Sequence, residues 1–109
     1  MAFTYKILGQ VAATANTTHN VYTVPAATQA IISTIVICNR GASNTTFRIA
    51  TQPAGATLSN THYIAYDTVV PALDTISLSL GIGLGNTDVL SVNAAVSNLT
   101  FSVYGTEIT

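Results

Sequence analysis

The sequence predicts an all-β domain, an antiparallel sandwich of about eight short strands with jelly-roll or immunoglobulin-like connections. Three observations carry that expectation. Apolar and small polar residues alternate in run after run, and no window of helical length repeats with the helical period. Those runs are filled with Thr, Val, Ile and Tyr, the β-branched and aromatic types that suit a pleated, half-buried surface. Clusters of Gly, Pro, Asn and Ser separate the runs at the spacing of sandwich strands. At 109 residues the chain forms one domain, 1–109, long enough to bury a core without metal or disulfide staples.

In chain order, strands are expected near 4–11, 18–24 and 30–39, the last containing the apolar block from Ala30 to Cys38. Two more fall near 45–51 and 61–68, on either side of the best loop, QPAGATLSNT (52–61). The final three fall near 74–84, 88–95 and 99–107. The cleanest of all is TISLSLGIGL (75–84). There Ile76, Leu78, Leu80, Ile82 and Leu84 share one face, expected to be core, and Thr75, Ser77, Ser79, Gly81 and Gly83 share the other. A weak internal echo supports the layout: Val-Pro-Ala closes an extended run at 24–26 and again at 70–72, and Ile-Ser follows each time, at Ile32-Ser33 and Ile76-Ser77. Pro25 and Pro71 cannot donate into a central ladder and mark corners.

Charge is scarce. Lys6, Arg40, Arg48, Asp67, Asp74, Asp88 and Glu107 are the only charged residues, 6% of the chain, where about a quarter is usual. A surface of Thr, Ser, Asn and apolar atoms is wettable but does not repel its neighbours, so association is expected. Three basic residues cannot make a phosphate-binding track, which excludes nucleic acid as a partner. The block from Ala30 to Cys38 contains Ser33 and Thr34 and has about half the length of a bilayer helix, so no membrane partner is expected. The opening MAFTYKILGQ lacks a positive segment followed by an apolar run, and synthesis in the cytoplasm is the expectation. A lone Cys gives the fold no internal disulfide.

Chemistry finds little to work with. Cys38, His62 and Asp67 supply the residue types of a nucleophile, base and orienter, but Cys38 ends an apolar strand, where Cys behaves as a small buried hydrophobe. His19, His62 and the aspartates lack clustered metal-ligand spacing. The glycines of GIGLG (81–85) alternate inside a strand pattern with no helix after them, unlike a dinucleotide loop, and suggest a bulge or a close backbone approach. No enzyme activity, cofactor or metal is expected. The sequons at Asn16, Asn44 and Asn98 are what a chain rich in Asn and Thr yields by chance. Among the five tyrosines, Tyr63 and Tyr66 flank the loop and are the choice for a contact patch.

Taken together, VYTVP (21–25), QAIISTIVICNRG (29–41), TFRIA (46–50), HYIAYDTVVP (62–71) and LTFSVYGTEI (99–108) resemble small virion structural proteins of tailed bacteriophages, cyanophages especially. The resemblance spans nearly the whole chain and brings no site residues with it. It implies a β-sandwich built into a capsid surface, neck, baseplate or fibre, assembled in the host cytoplasm and resident in the virion. Joined to the low charge, it points to a capsid cement or decoration protein, a small homo-oligomer, expected as a trimer, that clamps neighbouring capsid subunits. The runner-up is a neck, baseplate or fibre component that binds a host glycan or protein. Thr75, Ser77, Ser79, Gly81 and Gly83 are the expected interface, because an exposed strand usually carries Lys or Glu to discourage association and this one carries none.

Overall fold

The computed structural model describes residues 2–109. Its strands are β1 (Phe3–Ala12), β2 (Thr18–Thr23), β3 (Gln29–Asn39), β4 (Thr45–Gln52), β5 (Tyr63–Val70), β6 (Thr75–Leu78), β7 (Ile82–Leu84), β8 (Val89–Ala94) and β9 (Leu99–Ile108), with single 3-10 turns at Pro53–Gly55 and Asn60–His62. Sheet A runs β1-β9-β3-β6, with β7 also on β3, and sheet B runs β2-β8-β4-β5. Every neighbouring pair of named strands is antiparallel.

This order decides between the two expected topologies. Pairing β1 with β9, β2 with β8, β3 with β6 and β7, and β4 with β5 is one long hairpin; rolling it so that β9 meets β3 and β8 meets β4 gives a jelly roll. An immunoglobulin order would not alternate the two arms in this way.

Inward residues of the two sheets form one core. Ile32, Ile35, Ile37, Phe101 and Val103 come from sheet A, and Phe47, Ile49, Leu90 and Val92 from sheet B, all essentially dry. The rings of Phe47 and Phe101 meet edge to face across the sandwich, 6.1 Å between centroids at 73°. Each such side chain contributes roughly 1.5–3 kcal/mol of burial.

The expected run near 74–84 is one edge in two pieces. β3 bulges between Ile32 and Thr34, so β7 pairs below the bulge and β6 above it, and Gly81 at φ 62° turns the chain between them. The single strand of the sequence reading therefore breaks at 79–81, and Leu80, expected inside, is half exposed.

Two glycines allow close backbone approaches, Gly9 between the sheets and Gly105 within sheet A. A Cβ on Gly9 would collide with the Val21 carbonyl of β2, and one on Gly105 with the Ile31 carbonyl of β3. The close backbone approach anticipated at Gly81 and Gly83 occurs here instead, since a Cβ on either of those would meet nothing within 4 Å.

Candidate functional site

Strand register fixes what the outer face of sheet A presents. Five cross-strand rows point away from the core: Phe3, Ile108 and Gln29; Tyr5, Thr106, Ile31 and Gly83; Ile7, Tyr104 and Thr34; Gln10, Ser102, Val36 and Ser77; Ala12, Thr100, Cys38 and Thr75. No charged residue stands in any of them; the one cation at the face is Arg40 beyond β3, whose Nε donates to Thr100 Oγ1 at 3.0 Å in the last row. Lys6 and Glu107, the charged residues of β1 and β9, face the opposite way, with Lys6 Nζ 2.9 Å from Glu107 Oε1.

β1 is inverted relative to ordinary patterning. Its apolar set Phe3, Tyr5 and Ile7 is 67%, 67% and 53% exposed, while Thr4 and Lys6 occupy the inward register. Ile31 adds 46% exposure from β3. Ser33 Oγ donates to the Tyr104 carbonyl at 3.2 Å and the Tyr5 hydroxyl donates to Ser33 Oγ at 3.0 Å, which holds the Tyr5 side chain across β9. Gln10 Nε2 donates to Ser102 Oγ at 3.2 Å, so the polar groups of this face satisfy one another along the sheet. The result is a fixed surface about 10 residues long and four strands wide, uncharged except at the Arg40 end.

All five residues of the expected interface, Thr75, Ser77, Ser79, Gly81 and Gly83, are exposed on the β6–β7 edge of this same face. Among the described residues no other segment covers them. The sequence reading missed Phe3, Tyr5, Ile7, Ile31 and Tyr104 as members of the face. Alternation in β1 singles out the apolar set, but it assigns that set to the core by default.

Sheet B carries the other candidate. Arg48 Nε donates to Asp67 Oδ1 at 2.7 Å and Nη2 to Oδ2 at 3.3 Å, and its guanidinium lies 4.0 Å from the centroid of the Tyr66 ring. Tyr63 and Tyr66 meet edge to face, 4.9 Å between centroids at 81°. The two expected tyrosines are thus brought together, beside an open groove that Asn60 also lines. The hydrogen bond from Arg48 holds the Asp67 carboxyl below its usual range and, reciprocally, pushes the guanidinium up. Both groups stand in solvent, where such a pair contributes little stability. Much of the rest of this face is dressed by the loop 53–62: Ala50 and Ser91 point outward yet are dry, Gln52 bonds both Ser91 Oγ and the Ala56 carbonyl, and Leu58 lines the same crevice.

The catalytic trio comes apart. Cys38 lies on the outer face of sheet A, whereas Asp67 is engaged by Arg48 on sheet B and His62 Nδ1 accepts from the Ser59 amide at 3.1 Å. Cys38, expected to be buried, is half-buried and faces outward between Thr75 and Thr100. His19 Nε2 accepts from the Thr14 amide at 3.0 Å, a turn contact. Among the described residues no three His, Cys, Asp or Glu side chains stand together as a metal site, and no helix is long and apolar enough to cross a membrane.

Fold and surface together define a small jelly-roll β-sandwich with one face, poor in charge and rich in exposed apolar residues, bare and the other partly dressed by its own loop. No family model and no curated protein matches the chain. Among solved structures, it is similar to a chain described as the structure of infectious bursal disease virus Gx strain, with a TM-score of 0.54 and 11% identity. The match covers 97% of this chain and 31% of that one, so the protein corresponds to about a third of the viral chain's length. At this identity the likeness is one of fold: a virus particle's chain contains a β-sandwich of this shape.

Proposed function

We propose that the protein is a structural, non-catalytic component of a virus particle, of the tailed-bacteriophage type its sequence resembles, and that it acts as a cement or decoration protein on the capsid shell. The observation that carries this reading is the inverted β1. A chain that presents Phe3, Tyr5 and Ile7 together to solvent, with the half-exposed Lys6 on the other side of the strand, is built to be covered. The jelly roll, a fold used by viral shells and lectins, and the likeness to a viral chain support it. So does area: on a monomer surface of 5504 Å², two standard interfaces of about 800 Å² would cover roughly a quarter to a third. A contact of Ser, Thr and apolar groups also holds nearly independently of salt, which suits a particle that must survive dilution. The protein in this reading is a small homo-oligomer, the trimer expected from sequence or another closed symmetry, resident in the virion and bound to its capsid subunits.

Quantitative mass spectrometry of purified particles tests this. Copies in the hundreds, as a shell lattice requires, support the capsid role. Absence from particles overturns the virion reading.

A second reading has its own observation. Tyr63, Tyr66 and Arg48 around an open groove suit a host glycan or protein loop bound by a neck, baseplate or fibre component. A copy number near a dozen, with glycan binding lost in Tyr63→Ala, would favour it.

A further inference from the structure

We propose that the outer face of sheet A packs against the same face of a second copy of this chain, about a two-fold axis parallel to the strands. The inference rests on the reading that the chain self-associates, and adds the face, the partner and the symmetry.

Charge selects the occupant. The rows of this face contain no ionic residue, and the one cation against them, Arg40, sits at the Thr100 end, so over the rest of the face any charge a partner brought would lose its water with no counter-ion to meet. Nucleic acid and anionic glycans would meet Arg40 at one end and fail that condition over the remaining rows, and an ordinary protein surface, with about a quarter of its residues charged, fails it over most patches of this size. The same face of a second copy meets it over every row short of the Arg40 end.

Size is sufficient. Strands of 10 residues at about 3.3 Å per residue, four abreast at about 4.8 Å, give roughly 600 Å² in projection. Side-chain relief raises the accessible area toward the roughly 800 Å² per partner of a standard interface.

Side-chain volume then selects the axis. With the two-fold parallel to the strands, β1 of one copy lies over the β6–β7 edge of the other and β9 lies over β3, row upon row. Thr106 then opposes Ile31, Thr34 opposes Tyr104 and Ser102 opposes Val36, each a small residue against a larger one. At the edges, Tyr5 falls in the row of Gly83, and Gln10 in the row of Ser77. The open Gly83 position and the uncharged Ser77 become the recesses that the bulky β1 edge needs. An axis across the strands would instead set β1 on β1 and leave β6–β7 facing β6–β7, crowding one edge and gapping the other. Two sheets packed this way sit about 10 Å apart, the ordinary spacing of a sandwich.

The test is sedimentation equilibrium on the full chain at micromolar concentration, with circular dichroism for the fold. Wild type should have twice the 11.3 kDa chain mass, in low and in high salt alike. Ile31→Lys should give a folded monomer, its dissociation constant raised about 100-fold or more, while Val69→Lys, on the outside of sheet B, keeps the dimer. Should Ile31→Lys fail to fold, Ser102→Lys carries the same prediction. Mixing Ile31→Lys chains with Thr106→Glu chains should restore a dimer that neither forms alone, because the axis sets position 31 of one copy over position 106 of the other. A wild-type monomer or trimer, or a dimer that survives both lysines, overturns the inference. A trimer would leave the virion role intact, since particle copy number decides that separately.

Discussion

The Tyr22 hydroxyl donates to Glu107 Oε2 at 2.7 Å, joining β2 of sheet B to β9 of sheet A through the interior of the sandwich. Tyr22 is buried, and burial first, then the carboxylate beside it, holds its phenol well above the usual range. The hydrogen bond from Tyr22, with Lys6 second, holds the Glu107 carboxyl below its ordinary value of 4.5. A depressed carboxyl stabilises the fold fully above the unfolded value, and that contribution fades as pH falls through the folded value beneath it. Denaturant melts should therefore show wild type losing stability below about pH 4.5, and Glu107→Gln losing less over the same interval. Equal slopes would remove Glu107 from the acid response. Tyr22→Phe should lose about 1–2 kcal/mol at neutral pH.

Asn39 is a second polar pin, at the end of β3. It is 2% exposed, and its Nδ2 donates toward the carbonyls of Ser43, Val70 and Pro71 at 2.9, 3.3 and 3.1 Å while Oδ1 accepts from the Gly41 amide at 2.8 Å. One amide thus satisfies the turn after β3 and the exit of β5. Asn39→Asp replaces the donor with a buried carboxylate facing carbonyls, and should be more destabilising than Asn39→Ala, which itself should lose about 2–3 kcal/mol. Thermal melts of the two variants at neutral pH check the order.

The glycines divide sharply. Gly105→Ala and Gly9→Ala should each lose at least about 2 kcal/mol, because backbone carbonyls block the added methyl. Gly83→Ala should stay within about 0.5 kcal/mol in an Ile31→Lys background, where self-association is removed by the same surface logic. Chemical denaturation of the three variants separates a packing glycine from a surface one.

Much of the fold is legible in the sequence, for a physical reason that also marks where legibility ends. Strand positions follow from period-2 runs and turn residues, which are local. The Val-Pro-Ala echo proves to be one turn used twice, since Ala27 and Leu73 stand two residues after their prolines at φ 56° and 54°. Non-local facts are hidden. Gly9 and Gly105 matter because of β2 and β3, and the break at 79–81 follows from a bulge in β3. The small, uncharged outer side of β6–β7 is visible in the sequence, but the outward set of β1 is not, because alternation tells which residues share a face and not which side that face takes.

Leu73 is the costlier of those two turn residues, an apolar side chain 73% exposed in a left-handed conformation. Asn tolerates that region better than Leu and loses nothing by exposure. Leu73→Asn should stabilise the chain by about 0.5–1 kcal/mol, read as a raised melting temperature. An unchanged or lowered melting temperature would mean that the Leu73 side chain packs more productively than its exposure indicates.

Cys38 reports on the bare face without any engineering. Its side chain lies outward and half-buried in the row of Ala12, Thr100 and Thr75, within the area that a second copy would cover. Half-exposure in a monomer leaves a thiol open to a small reagent, whereas a sheet packed about 10 Å away closes the approach. Labelling of native wild type should accordingly be slow at concentrations where the protein is associated, and faster on dilution. Ile31→Lys should label at one fast rate at every concentration, about tenfold or more above associated wild type, because its neighbouring surface is open while its own fold is unchanged. Denaturation should bring both to one rate. Concentration-independent labelling of wild type at the rate of Ile31→Lys would show that nothing covers this face, and slow labelling of both would place the protection within the monomer.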